Sequence, residues 1–225
     1  MGLGLIVLQD KIGNNTNSEG YALYSFRIKM SSGASLSLGL QGGFMNYQSR
    51  NSELNAYDPT DPAFNNDVNT TKVNVGTGLI YRSDRLYIGF SVPRMLNQEI
   101  EGPENGTVNL YTQHLYANAA YVFFLSKEVR LKPSVLLKGV KGSPLSVDYN
   151  MLLNINERYT AGVFTRNLNT YGTLLQMKLG ETLGFGYALE IPTNKSVGTQ
   201  YTTHELCLSV SLQALSFHHE SVTSF

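Results

Sequence analysis

Apolar and polar residues alternate with a period of two along almost the whole chain. In the cleanest segment, 145–155, apolar residues occupy the odd positions from Leu145 to Ile155, and polar residues such as Asp148 and Asn150 occupy most even positions. Successive side chains of a strand point to opposite faces of a sheet, so this period predicts strands with one apolar and one polar face. No segment shows a convincing helical period. The pattern predicts about twelve strands, near residues 2–9, 19–30, 34–48, 70–82, 85–92, 110–125, 129–139, 144–155, 158–167, 170–179, 181–191 and 200–213.

The lengths of the strands and of their connections favour a membrane barrel. Many strands reach ten residues, longer than the usual strand of about 5–6 residues in globular proteins and similar to a tilted strand that crosses a membrane. Short turns are predicted at 31–33, 83–84, 126–128, 156–157 and 179–180, longer polar loops at 10–18, 49–69 and 93–109, and intermediate ones at 140–143 and 192–199. Short turns at one end and long loops at the other are typical of outer-membrane barrels. We therefore predict an all-β fold, an antiparallel up-and-down transmembrane β-barrel that forms a single domain over residues 1–225, with a tail at 214–225.

Apolar and polar residues would also alternate along the strands of a soluble β-sandwich, but its strands would be shorter and its solvent face would carry Lys, Glu and Asp. Here the polar face consists mainly of Gly, Ser, Asn, Gln and Thr, which suits a lumen. In a barrel the face with Leu36, Leu38 and Leu40 should be exposed. The charged exceptions on the polar face are Lys72, Lys132, Lys138, Asp148 and Arg166. Because buried charges need partners, Asp148 is expected to point inward and to pair with Lys138 or Lys132.

Two further placements follow from residue type. Six tyrosines near strand ends are expected to form interfacial girdles: Tyr21, Tyr81, Tyr111, Tyr159, Tyr171 and Tyr201. Pro133 lies within a predicted strand, and proline cannot donate to a ladder. It therefore predicts a local bulge, unless the strand begins at Ser134.

Composition excludes several classes of protein. The 225 residues include 17 basic and 17 acidic side chains, with no basic run, which argues against nucleic-acid binding. The hydrophobic share of 42% is too high for a disordered chain. One cysteine excludes a disulfide framework, and no apolar run approaches the ~20 residues of a membrane-spanning helix. The first residues, from Met1 onward, lack the basic region of a signal peptide, and their alternation predicts a strand that begins in mid-fold. We therefore expect that the chain is a fragment or that its true start lies upstream.

The sequence contains only weak signals for a catalytic or metal-binding site. His114, His204 and the pair His218 and His219 lack metal-type spacing, and Cys207 has no identified base. The segment 58–67, rich in Asp, Asn and Pro, fails the spacing of a calcium loop, and Asp-Pro turns explain it. The sequence thus predicts no catalytic residue, no cofactor-binding residue, no metal site and no enzyme.

Several segments together form a recognisable set of motifs. The longest is 131–148, which runs from Leu-Lys-Pro-Ser-Val to Pro-Leu-Ser-Val-Asp; the others are 10–13, 58–64, 86–93 with 95–97, 184–187 and 204–206. These segments resemble the PorP/SprF family of outer-membrane proteins from the type IX secretion and gliding systems of Bacteroidota. The resemblance implies an outer-membrane barrel that helps to secrete or anchor surface adhesins. Its partners would be the lipid bilayer, an adhesin-type cargo and periplasmic secretion components, with no nucleic acid and no cofactor.

Other functions are compatible with the same architecture. The runner-up is an outer-membrane pore or small-solute transporter, since the polar face carries little charge. An outer-membrane enzyme of the lipase kind would need a nucleophile, a histidine and an acid at one rim, and no such set is visible. In the leading interpretation the function lies in the long loops 49–69 and 93–109, the first with Asp58, Asp61 and Phe64 and the second with Glu99, Glu101 and Glu104.

Overall fold

The part of the chain that the structure describes consists mainly of β-strands. The computed structural model describes residues 1–53, 67–101, 107–193 and 201–212. The strands are Gly2–Ile12 (β1), Asn15–Lys29 (β2), Ser35–Ser49 (β3), Val68–Arg82 (β4), Leu86–Val92 (β5), Gln98–Glu101 (β6), Thr107–Tyr111 (β7), His114–Tyr121 (β8), Phe123–Phe124 (β9), Val129–Val140 (β10), Ser146–Ile155 (β11), Tyr159–Arg166 (β12), Thr170–Leu179 (β13), Leu183–Pro192 (β14) and Thr203–Val210 (β15). Within these ranges the helical content is a single 3-10 turn at Asn51–Glu53. None of the described residues belongs to a helix long and apolar enough to cross a membrane.

Thirteen of these strands form one antiparallel sheet. Its order is β1-β2-β3-β4-β5-β8-β10-β11-β12-β13-β14-β15, with β9 beside β10, so each strand pairs with the one that precedes it in the meander. The predicted all-β, antiparallel, up-and-down fold is confirmed. Over the described residues β1 and β15 are the two edges of the sheet, which is not closed between them.

The two faces of the sheet differ as the alternation predicts. On the apolar face Leu38 and Leu40 are 47% and 61% exposed, as expected, and Leu36 is half-buried. The opposite face, called the polar face below, carries buried polar side chains, including Glu19 and Asn74. Exposed apolar and buried polar side chains reverse the arrangement of a soluble protein and suit a barrel in lipid.

Connections of different length lie at the two ends of the sheet. At the short-turn end, at most five residues join β2 to β3, β4 to β5, β9 to β10, β11 to β12 and β13 to β14. At the other end, the long-connection end, lie the segments that follow β3, β5 and β14, together with the short connections 13–14, 141–145 and 167–169. The predicted loop at 10–18 is wrong, because β1 continues to Ile12 and β2 begins at Asn15. Gly13, with φ of +60°, allows this tight turn.

The predicted loop at 93–109 also needs correction. It contains a separate hairpin, in which β6 pairs with β7 away from the main sheet. The strand β6 has only the four residues Gln-Glu-Ile-Glu, and so short an alternation does not predict a strand by itself. Residues 102–106 lie outside the described part, as do most of the loop 49–69 and the tail 214–225.

Pro133 does not form a bulge, and the strand does not begin at Ser134. Both expectations are wrong, since β10 starts at Val129 and Pro133 pairs with Met151 in unbroken register. On the other side of β10, pairing lapses at Lys132 and Pro133, between the partners of β8 and β9. Proline has no backbone N–H to donate, and the sheet accommodates Pro133 by a gap in the hydrogen-bond ladder on one side of β10, with no extra residue inserted in the strand.

Two hairpin turns contain left-handed residues that are not glycine. Asn156 and Glu157 have φ of 53° and 55°, and Asn167 and Leu168 have φ of 51° and 56°. Two positive φ values in succession match a type I′ turn, and the Arg158 and Asn169 N–H groups close these turns by donating to the Ile155 and Arg166 carbonyls. Leucine is poorly suited to this conformation, so Leu168 is a strained position.

Candidate functional site

The segment 93–98, which follows β5 at the long-connection end, lies against the polar face of the sheet. The Met95 N–H donates to the Val75 carbonyl at 2.8 Å. Asn74, 1% exposed, donates to the Leu96 carbonyl at 2.8 Å and accepts from the Leu96 N–H at 3.1 Å. Gln98 donates to the Val73 carbonyl at 2.9 Å. These contacts hold the segment on the inner side of β4.

Small and polar residues of β3 and β4 make room for the segment. A Cβ atom on Gly76 would collide with the Pro93 carbonyl, so the backbone of the segment passes directly over this glycine. Gln41 donates to the same carbonyl at 2.8 Å. The glycine and amide residues of the polar face therefore form a seat for 93–98.

An ion pair fixes the segment to a second strand. Arg94 donates from Nη2 to both carboxylate oxygens of Glu19, at 2.9 and 2.7 Å, and Glu19 belongs to β2. The Glu19 side chain is 3% exposed and that of Arg94 is 26% exposed. The guanidinium carbon of Arg94 also lies 4.5 Å from the centre of the Tyr111 ring. Burial raises the pKa of Tyr111, and the charge of Arg94 partly opposes this.

This arrangement corrects the prediction of aromatic girdles. Tyr21 is 4% exposed and sits on the polar face beside Glu19 and Arg94, and Tyr111 stacks on Arg94. Neither can belong to a lipid-facing girdle. Tyr81 is half-buried. Three of the six are exposed, as a girdle requires: Tyr159, Tyr171 and Tyr201.

A second charged network crosses β10 to β14 on the polar face. Lys138 lies 2.7 Å from Asp148, whose side chain is 13% exposed, so the predicted inward pair is confirmed. Arg166 contacts Asp148 at 3.3 Å and Glu190 at 3.3 Å. Lys132, the other expected partner of Asp148, lies further towards the short-turn end, opposite Leu152.

The long connection after β3 is anchored at its described ends. Asp67 accepts from the N–H and the hydroxyl of Ser52, both at 3.0 Å. These hydrogen bonds lower the pKa of Asp67. Asn14 donates to Asn51 at 3.1 Å and ties this connection to the neighbouring turn. Asp58, Asp61 and Phe64 lie outside the described residues.

In the described ranges, His114, His204 and Cys207 are not brought together with an acid–base partner set. His114 contacts the Thr112 carbonyl at 2.7 Å, and His204 contacts the Tyr187 hydroxyl at 2.8 Å. Cys207 is exposed on the edge strand β15. In the part of the chain that the structure describes, no three His, Cys, Asp or Glu side chains are grouped so as to hold a metal ion. His218 and His219 lie outside that part.

Sequence reasoning missed the Glu19–Arg94 pair and the role of Asn74. Glu19 occupies a polar-face position at the start of a predicted strand, and Arg94 directly follows the Ser-Val-Pro segment. The pair is separated by 75 positions, so the alternation contains no signal that joins them. The alternation along the chain placed Asn74 on the polar face but gave no indication of its hydrogen-bond partner.

A family model described as type IX secretion system membrane protein PorP/SprF matches residues 1–210. The chain belongs to the PorP/SprF family. The resemblance inferred from separate segments is thereby confirmed over most of the sequence. No curated protein and no solved structure matches the chain. PorP/SprF membership makes this protein a membrane component of the type IX secretion system.

Proposed function

We propose that the protein is a non-enzymatic outer-membrane component of the type IX machinery, and that it helps to secrete or anchor surface adhesins. The match to the PorP/SprF family over residues 1–210 carries this proposal. The exposed apolar face of the sheet supports placement in a lipid bilayer. In this orientation the long-connection end faces outward and docks the secreted cargo, and the short-turn end faces periplasmic components.

The fixed segment 93–98 gives the long-connection end a defined shape. Its hydrogen bonds to Val73, Asn74 and Val75 orient the hairpin β6–β7, which begins at the end of the segment. A docking surface whose backbone is already ordered loses less conformational entropy when its partner binds. We therefore propose that this segment preorganises the surface that meets the cargo.

The experiment compares two buried asparagines of the polar face. Asn74→Leu removes both bonds to Leu96 at the long-connection end. Asn154→Leu is the matched control, because Asn154 is also 1% exposed but bonds to Thr160 near the short-turn end. In the native bacterium, with the variant gene replacing the original, antibody labelling of intact cells reports adhesin display. The amount of barrel in the outer-membrane fraction normalises each value.

We expect Asn74→Leu to lower normalised display at least fivefold and Asn154→Leu to leave it near the original level. Deletion of the gene should abolish display and leave adhesin inside the cell. Normal display after deletion would refute the role in secretion. Equal display in the two variants would refute the role of the segment only. Steady conductance in a planar bilayer, together with normal display after deletion, would instead support the pore.

A further inference from the structure

The wall of the sheet is interrupted beside β4 at the long-connection end. On one side, β4 pairs with β3 over its whole length. On the other side, its pairing with β5 begins only at Thr77. In the described part of the chain, residues 68–76 therefore have no strand beside them on that side. We call these residues the open edge of β4, and they span about 30 Å.

Only some of the backbone groups along the open edge have partners. The N–H and C=O groups of one residue point to the same side of a strand, so those of Val75, Val73 and Thr71 all face the gap. The Val75 N–H donates to the Asn74 side chain at 3.0 Å, and the segment 93–98 donates to the carbonyls of Val75 and Val73 at 2.8 and 2.9 Å. Within the described ranges, the Val73 N–H and both backbone groups of Thr71 have no hydrogen-bond partner.

The open edge extends into the lipid-facing part of the sheet. Val73 and Val75 are exposed on the apolar face, and so is Phe44, which lies opposite Val73 on β3. Lipid offers no hydrogen-bond partner to a backbone group, so an unpaired edge at this depth is unfavourable. Another strand that covers the edge would remove this cost.

The residues that follow β5 are unsuited to close the gap as a continuation of that strand. If the β4–β5 register continued, Arg94 would lie opposite Val75 and point towards lipid. Pro93 would contribute no N–H to a neighbouring strand. Instead, Arg94 turns to the polar face and pairs with Glu19. The gap is therefore a built-in feature of the sheet, and the strand that covers it comes from elsewhere.

We propose that an extended segment of the secreted cargo binds the open edge as an added antiparallel strand. Strand addition supplies main-chain hydrogen bonds, and the side chains on the two faces of the edge select the sequence. On the apolar face, the added strand presents apolar residues beside Thr71 and Val73. On the polar face, Lys72 is half-buried, opposite Met45, and has no ion-pair partner among the described residues. An acidic residue of the added strand therefore lies opposite Lys72.

Position and charge favour the cargo as the source of this strand. The inference rests on the proposed function, which places the cargo at the long-connection end, and the open edge adjoins the segment 93–98 that orders the docking surface there. A second copy of the chain is a poorer partner. Two open edges paired symmetrically about residue 72 would place two lysines opposite each other, and like charges at such a position are destabilising.

Photocrosslinking in the native bacterium tests the identity of the partner. The variant Thr71→p-benzoylphenylalanine places a photoreactive group on the open edge. Thr173→p-benzoylphenylalanine is the matched control: Thr173 is also exposed on the apolar face, four residues into its strand from the same end, but β13 is paired on both sides. After illumination, an antibody against the displayed adhesin should detect an adduct from position 71 and at least tenfold less from position 173.

The outcomes separate this inference from the proposed function. Equal yields at the two positions, an adduct with a second copy of the chain, or no adhesin adduct at position 71 would overturn strand addition by the cargo. If deletion of the gene abolishes display but position 71 gives no adduct, only this inference fails. Normal display after deletion refutes the proposed function, and the cargo as partner with it.

Peptide probes test whether the contact is a strand pairing. Fluorescence anisotropy measures binding of labelled Val-Thr-Val-Glu-Val-Thr-Val to the full chain in lipid nanodiscs, with empty nanodiscs as the blank. N-methylation of the two valines beside Glu removes the donors that face the open edge, and it should weaken binding at least tenfold. N-methylation of the two threonines is the matched control, because their N–H groups point away from β4, and the affinity should stay within about twofold. Equal affinities of the two methylated probes, or no binding above the blank, would overturn the proposal.

Lys72→Met locates the probe on the open edge. On the unaltered chain, the Glu probe should bind about three- to fivefold more tightly than the same peptide with Gln, because opposite charges across strands attract. This preference should disappear in Lys72→Met. It should persist in Lys29→Met, the matched control, because Lys29 ends β2 at the short-turn end of the polar face. A preference that survives in Lys72→Met would place the probe on another edge and overturn the proposal. The methylated probes on the unaltered chain decide the matter if a variant does not fold.

Discussion

Replacement of Glu19 by glutamine should release the segment 93–98 from β2. The substitution keeps the volume of the side chain and removes the charge that Arg94 contacts at 2.7 and 2.9 Å. Removal of one partner from a buried ion pair costs about 3–5 kcal/mol, whereas an exposed pair is worth about 0.2–1 kcal/mol. Glu19 is buried but Arg94 is 26% exposed and keeps its contact with Tyr111, so we expect a loss of about 2–3 kcal/mol in the free energy of unfolding.

Urea unfolding in lipid vesicles measures this loss, with the mobility of unheated samples on gels as the readout. The chain contains no tryptophan, so the gel shift is more direct than fluorescence. Glu190→Gln is the matched control: Glu190 has one contact with Arg166 at 3.3 Å and is 27% exposed, so its loss should stay below about 1 kcal/mol. Equal losses in the two variants would refute the argument from geometry. A double-mutant cycle with Arg94→Met isolates the coupling of the pair, which should account for most of the loss.

Three further predictions concern separate parts of the sheet. Asp148→Asn should destabilise the barrel by about 2 kcal/mol in the same urea assay, because Lys138 stays half-buried beside a neutral amide; Lys138→Met should recover part of that loss. Leu168→Gly should stabilise it by about 0.5–1 kcal/mol, because glycine adopts the left-handed conformation without strain. The pKa of Asp67 is lowered in the folded state, so the hydrogen bonds from Ser52 persist above pH 3.8 and are lost as the pH falls further through the folded pKa. A titration of the Asp67 carboxyl group by NMR should therefore give a pKa below 3.8.

Each of these predictions has a result that would contradict it. A full additive loss in the double variant of Asp148 and Lys138 would mean that the two charges are not coupled. Leu145→Gly is the control for Leu168→Gly, because Leu145 is an exposed turn residue without a positive φ and should lose stability. A gain in both variants would show that strain is not the cause. If Ser52→Ala leaves the pKa of Asp67 unchanged, the hydrogen bonds do not lower it.

The sequence alone determined the fold class, the strand order and the two faces of the sheet. This was possible because alternation is a local property: each strand records in its own residues which side chains point to lipid and which point inward. The pairing of Asp148 with Lys138 could also be predicted from the sequence. The two residues belong to successive strands joined by a short turn, so the register of one hairpin brings them together.

Only the tertiary structure decided which distant residues meet at the long-connection end. Glu19 and Arg94 come from β2 and from the segment after β5, and their contact depends on the registers of the intervening strands and on the inward fold of that segment. The inward fold of that segment also brings Arg94 to Tyr21 and Tyr111, although the positions of both tyrosines at strand ends suggested a lipid-facing girdle. Alternation predicts a face but not a partner, because a partner depends on registers and backbone paths that no single strand contains.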